Sequence, residues 1–269
     1  MKIVGEKING TLSKVKKAVE ERDADFIREL ARRQVEAGAH WLDVNAGTAP
    51  DREPDDLIWL AQTVQEAVDA PLCLDSTNNR ALEAALGVVQ RTPMINSISG
   101  ERFRLEGTLP LAAGRGCPVI ALALDETGIP KDVEGRMRVV RIVMERTRKA
   151  GLPDASVFID PLVAAIATSQ DSGLVAWGTM RQVKAEYPEA GFAMGLSNIS
   201  FGLPARTLVN QAFFTISMAE GLSLAITDPN NRAIMETLYA TQAVLGQDRF
   251  CLNYTRAFRA GKIGPKPKV

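Results

Sequence analysis

The sequence contains one histidine, His40, and only three cysteines, Cys73, Cys117 and Cys251. The cysteines are odd in number and too widely spaced for a disulfide framework or a CxxC pair. No HExxH or paired Cys/His set occurs, so zinc chemistry lacks its usual parts and no bound metal is expected. GxGxxG, Walker and GxSxG motifs are missing too, which removes the usual signatures of nucleotide-binding and acyl-transfer enzymes. Neither sign of charge is in excess, with 32 Lys and Arg against 32 Asp and Glu. Nucleic acid and anionic membranes are therefore not expected partners. No apolar run reaches the roughly 18 residues that span a bilayer. The opening MKIVGEKING also lacks the sections of a signal peptide. A cytoplasmic protein is the expectation.

What is present is a regular alternation. Short apolar strands are expected at Lys2 to Ile8 and near 40–45, 71–75, 93–98, 118–125, 156–160, 192–198 and 222–227, each followed by a helical stretch. In the first unit Asp23 suits a helix N-cap, Phe26, Ile27, Leu30 and Ala31 share one face, and Gly38 is a stop. Alternating strand and helix units imply parallel pairing with right-handed crossovers. At 269 residues and 46% hydrophobic content, eight units favour a closed (β/α)8 TIM barrel as one domain over 1–269. The Gly/Pro/Lys-rich end, 261–269, reads as a flexible tail.

The strand ends carry a second regularity: Glu6 and Asn9, Asp43 and Asn45, Asp75, Asn96, Asp125, Asp160, Asn198 and Asp228. In a barrel these ends converge on the C-terminal face, where catalytic groups sit. The same residue types favour turns and helix caps at those junctions, so both readings stay open at each position. Strand parity separates some of them, because residues two apart point to the same side: Cys73 with Asp75, Met94 with Asn96, Phe158 with Asp160. Buried carboxylates and amides need hydrogen-bonding partners, and without a cluster of metal ligands those partners are expected on a polar heterocyclic ligand. His40 opens a strand, at the end away from barrel catalysis, and reads as structural. Cys73 has no adjacent cation to activate its thiol.

Seven motifs then stand in order: GEKIN (5–9), LDVNAG (42–47), CLDSTN (73–78), MINS (94–97), TGIPKD (127–132), FIDPL (158–162) and GLSNISFGLP (195–204). Together they resemble the methyltetrahydrofolate:corrinoid protein methyltransferases of acetogens and anaerobic demethylating bacteria, and the folate module of cobalamin-dependent methionine synthase. The resemblance spans almost the whole chain and implies a pterin-binding barrel of the dihydropteroate synthase type. It assigns Asp75, Asn96 and Asp160 to the pterin ring, and Asn198 to N5 as the catalytic amide. Glu6 and Asn9 match the family's first-strand pair, and Arg206 an arginine at the folate mouth. Tetrahydrofolate or its 5-methyl form is the implied substrate. A cobalamin-type corrinoid would arrive on a partner protein, because no DxHxxG motif is present. A homodimer is implied. FGLPAR after LSNIS and Asp125 before TGIPKD depart from the acetogen pattern and leave open whether the partner is an iron–sulfur protein or the small carrier of an O-demethylase. Dihydropteroate synthase is one rival reading, although GEKIN and LSN replace its pyrophosphate-binding segments. A non-catalytic pterin-binding subunit is another.

Overall fold

The structure is a computed structural model that describes residues 1–265. Eight parallel strands close into a barrel in sequence order. They are β1 (Lys2–Asn9), β2 (Trp41–Asn45), β3 (Leu72–Asp75), β4 (Met94–Ser99), β5 (Val119–Leu122), β6 (Val157–Asp160), β7 (Gly191–Gly195) and β8 (Leu224–Thr227). β1 also pairs with β8, which removes both sheet edges.

Period-two alternation sorts the strand side chains into two cores. Val4, Cys73, Met94, Ile120, Ala193 and Leu224 fill the barrel interior, with Trp41 and Phe158 against them. The opposite faces, among them Ile3, Leu42, Leu74, Ile95, Val119 and Ile159, pack under the surrounding helices. The helix after the first strand forms as its signals predict: α2 (Ala24–Glu36) is capped by Asp23, which accepts from Phe26 N at 3.0 Å, and buries Ile27 and Ala31.

Three expectations need correction. A helix precedes α2: α1 (Ser13–Glu21) buries Val15, Ala18 and Val19, a spacing legible in SKVKKAVEE. The seventh strand ends at Gly195, and 196–198 belong to a 3-10 turn, Leu196–Ser200. The fifth ends at Leu122, well short of Asp125. Of the segment 261–269 read as a flexible tail, residues 261–265 are described. Ile263 is buried, and Arg232 donates to the carbonyls of Gly261 and Gly264. Residues 266–269 lie outside the described residues.

The loops at the C-terminal face are held close by glycine. A Cβ on Gly10, after β1, would lie 1.7 Å from the Ala46 carbonyl oxygen, after β2. Gly47, at φ +61°, would in turn meet the Gly10 backbone at 2.5 Å. Only residues without a side chain allow these two loops to touch, which sets one side of the barrel mouth. Among the described residues no helix is long and apolar enough to cross a membrane.

Candidate functional site

Two residues beyond the interior cluster on each strand, the inward positions change character. They are Glu6, Asp43, Asp75, Asn96, Leu122, Asp160, Gly195 and Ile226. The polar run lies on β1 to β4 and β6, while Leu122 and Ile226 are half-exposed apolar walls. Glu6, Asp75, Asn96 and Asp160 are half-exposed toward the mouth, and Asp43 is buried beneath them. Such a row of acceptors can meet the N–H donors of a flat polar ring, and Leu122 and Ile226 pack against the interior cluster beside it.

Hydrogen bonds connect the set across strands. Asn45 Nδ2 donates to Asp75 Oδ2 at 2.9 Å, and Asn96 Nδ2 donates to Asp43 Oδ1 at 3.2 Å. Burial pushes the Asp75 carboxyl above its usual range, while the Asn45 bond and the Arg104 guanidinium pull it back. Burial also raises Glu6, and Asp228 adds to the effect against the pull of Lys7.

Asp160 owes its setting to a strained turn. Leu162 takes φ +63°, an unfavourable region for a side chain with a Cβ, and its N–H returns to Asp160 Oδ1 at 2.8 Å. The buried Arg136, on the helix Val133–Lys149, closes the turn by donating to the carbonyls of Pro161 and Leu162, both at 2.7 Å, and of Pro130 at 3.1 Å. Burial raises the Asp160 carboxyl to about 7, against the opposing pull of the Leu162 N–H and Arg136. A ligand that donates N–H groups to Asp160 needs its ionised form. Affinity for such a ligand is therefore expected to fall about tenfold from pH 8 to pH 6 as the proton returns, and this dependence should vanish in Asp160→Asn. Calorimetric titrations of both proteins across that range check it.

Asn198 stands on the 3-10 turn after β7, exposed, and its side chain makes no hydrogen bond among the described residues. Its Nδ2 lies 3.4 Å from where a Cβ on the inward-facing Gly195 would sit, so the amide occupies space that this glycine leaves open at the mouth. Arg206 braces the turn, donating from Nη2 to the Ser197 carbonyl at 2.6 Å and from Nε to Ser200 Oγ at 3.0 Å. Two of its nitrogens are thus committed to the loop that carries Asn198.

The remaining polar strand ends follow turn chemistry. Asn9 Oδ1 accepts from Thr11 N and Oγ1, and Asp125 Oδ1 accepts from Thr127 N and Oγ1. Asp228 pairs with Lys7 at 3.2 Å and accepts from Asn230 N. Asn9 still borders the mouth, but its carbonyl oxygen is committed. His40 is structural, its Nδ1 accepting from Ile3 N at 3.2 Å. It lines a cavity of about 580 Å³ at the opposite end of the barrel, away from the polar set.

Two further residues border the polar set without an assigned role in the sequence. Asp43 stood among the polar strand ends, and the parity that selects Asp75 also reaches it, because it stands two residues beyond Trp41. Arg104, buried in a π-helical turn (Arg104–Thr108) after β4, donates from Nη1 to the Ser76 carbonyl at 3.1 Å and faces Asp75 electrostatically. Ser76 in turn donates to Glu53 Oε1 at 2.6 Å, so the segment that follows Asp75 is held on two sides.

Residues 5–228 match the model of the pterin binding enzyme family. Over 267 residues the chain is 43% identical to the methylcorrinoid:tetrahydrofolate methyltransferase of Eubacterium limosum, covering 98% of both chains. It is 30% identical over 237 residues to methionine synthase of Mycobacterium tuberculosis, covering 83% of this chain and 20% of that protein. Its structure is similar to the dihydropteroate synthase of Xanthomonas albilineans in complex with 7,8-dihydropteroate, with a TM-score of 0.64, 20% identity, and 91% and 92% of the two chains covered. That likeness concerns the fold.

Proposed function

The chain belongs to the pterin binding enzyme family, and from that premise we propose that it moves a methyl group between N5 of tetrahydrofolate and the cobalt of a corrinoid on a separate protein. The observation that carries the reading is the partly buried row of acceptors, Asp75, Asn96 and Asp160, at the inward positions of β3, β4 and β6. A pterin edge carries N–H donors in fixed positions, and a site that would leave its buried acceptors unpaired rejects rings lacking those donors. Glu6 borders the same opening from β1, and Asn9 contributes its loop. Arg206 serves by holding the turn on which Asn198 meets N5.

Demethylation at N5 leaves an amine that is a poor leaving group. An amide N–H placed at that nitrogen supports the charge that develops on it, and the unpaired Asn198 is positioned for the task. In the reverse direction, the one that the name of the Eubacterium relative describes, the same amide holds N5 in line for the incoming methyl group. The corrinoid supplies the cobalt that gives or takes the methyl. The position of the chain's single histidine, bound to Ile3 N at the far end of the barrel, supports a corrinoid carried elsewhere.

The rival reading as dihydropteroate synthase rests on fold likeness at 20% identity, whereas the likeness to a methyltransferase covers nearly every residue at 43%. A non-catalytic subunit would have no use for a free amide held over the mouth. The protein's place in this reading is the cytoplasm, in keeping with three cysteines that are free in the structure. It acts there as a homodimer whose candidate surface is the exposed apolar pair Val244 and Leu245, which share a surface hollow with Thr215 and Ala219. The small carrier of an O-demethylase is a partner this reading admits.

The test is direct. Pure protein is mixed under anaerobic conditions with methyltetrahydrofolate and free cob(I)alamin, and the visible spectrum is followed. Conversion to methylcob(III)alamin that depends on the protein is expected. If the native carrier gives no conversion either, the transfer reading is withdrawn.

A further inference from the structure

Asp43 differs from the other inward carboxylates in being 3% exposed, below the half-open Glu6, Asp75 and Asp160. No cation is among the groups that set its charge state; its neighbours are Asp75, Glu6, the Asn96 amide and the Cys73 thiol. Burial, and then the Asp75 charge, push its carboxyl well above the ordinary carboxylate range. A buried acid at this depth, one strand from the ligand-facing row, needs a role that pairs it with a neighbouring side chain.

The Asn96 amide supplies one. An asparagine side chain offers one acceptor oxygen and one donor nitrogen, and rotation by half a turn exchanges them. Asn96 Nδ2 donates to Asp43 Oδ1 at 3.2 Å, which leaves Asn96 Oδ1 for the half-open mouth. We propose that Asp43 is a positioning residue that fixes the polarity of the Asn96 amide, so that the pterin meets a carbonyl oxygen at that position and not an NH₂ group. This deepens the pterin reading and rests on it. The row Asp75, Asn96, Asp160 is then acceptor throughout and selects for ring N–H donors. Without the Asp43 carbonyl the amide turns freely, and its nitrogen opposes the donors of the ring.

The experiment is calorimetric titration with methyltetrahydrofolate of the wild type, Asp43→Leu and Asp43→Asn, together with their melting temperatures and turnover. The wild type binds first; if it does not, the pterin reading itself fails, and this inference with it. Asp43→Leu is expected to bind at least about tenfold more weakly, with kcat at saturating substrate within about twofold, because Asp43 touches no reacting atom. It is expected to melt no lower than the wild type, since an apolar isostere at a buried ionisable position is often neutral or stabilising. Asp43→Asn, which keeps a carbonyl acceptor, is expected to bind within about threefold of the wild type. In an Asn96→Ala background Asp43→Leu should cost nothing further, as two residues acting through one bond require. Asp43→Ala replaces the leucine variant if that protein does not fold. Wild-type affinity in Asp43→Leu, an equal loss in Asp43→Asn, or additive losses in the double variant each overturn the proposal.

Discussion

Replacing Asp75 by asparagine is expected to weaken methyltetrahydrofolate binding roughly a hundredfold, about 2.7 kcal/mol, while the protein melts at the same temperature or above. The size follows from the existing bond to Asn45. Asn45 Nδ2 donates to Asp75 Oδ2, which leaves the other carboxylate oxygen to receive donors from the ligand. An asparagine has a single acceptor oxygen, and if Asn45 keeps it, the new NH₂ group points into the pocket. The ring then loses a charge-assisted acceptor and meets a donor in its place, a worse outcome than simple removal. Stability moves the other way because the carboxyl is already pushed above its usual range by burial, and a neutral amide lifts that cost. Calorimetric titrations beside melting curves separate the two effects. Equal affinity in the two proteins would show that the ring lies elsewhere in the mouth.

The barrel was legible because its signals are local. Strand parity depends on residues two apart, so Cys73 and Asp75, or Phe158 and Asp160, reveal their common side without any knowledge of the fold. The extent of each strand was less so, since Leu196, Ser197 and Asn198 read as a continuation of β7 while the backbone had already entered a 3-10 turn. That turn is fixed from a distance, by Arg206 and by the Ile166 N–H donating to the Ile199 carbonyl. Asp125 and Asp228, counted among the polar strand ends, lie beyond their strands and follow the turn reading, where an Asp accepts from a backbone N–H two residues on. Arg104 and Arg136 escaped notice for a different reason. Each is a buried guanidinium on a helical segment that reaches carbonyls 25 or more residues away, Ser76 for one and Pro161 and Leu162 for the other. A backbone carbonyl belongs to every residue alike, so no pattern of side chains along the sequence announces such a bond. The sequence likeness to a methyltransferase and the acceptor row address different questions, one the reaction and the other the ring. On the proposed reading they meet at Asn198.

Asn198→Ala should lower kcat for methyl transfer more than tenfold, a loss of about 1.4 kcal/mol or more of transition-state stabilisation, while methyltetrahydrofolate affinity changes by less than about threefold. The structure makes this a clean deletion. The Asn198 side chain is exposed and has no hydrogen bond among the described residues, and the turn is held by Arg206 at Ser197 and Ser200 and by the Phe201 N–H at the Asn198 carbonyl. Alanine leaves every one of those bonds in place, so the melting temperature should not move. On the proposed reading the ring is gripped by Asp75, Asn96 and Asp160 in the bound state, whereas the amide acts on N5 only as its bond to the methyl carbon breaks or forms. Loss of the amide should therefore fall on the rate and spare the affinity. A variant with unchanged kcat and weakened binding would make Asn198 one more ring contact, and the charge on N5 would then have to be met by another group at the mouth, Asp160 with its carboxyl near neutrality being the nearest in chemistry. A variant unchanged in both would remove Asn198 from the site.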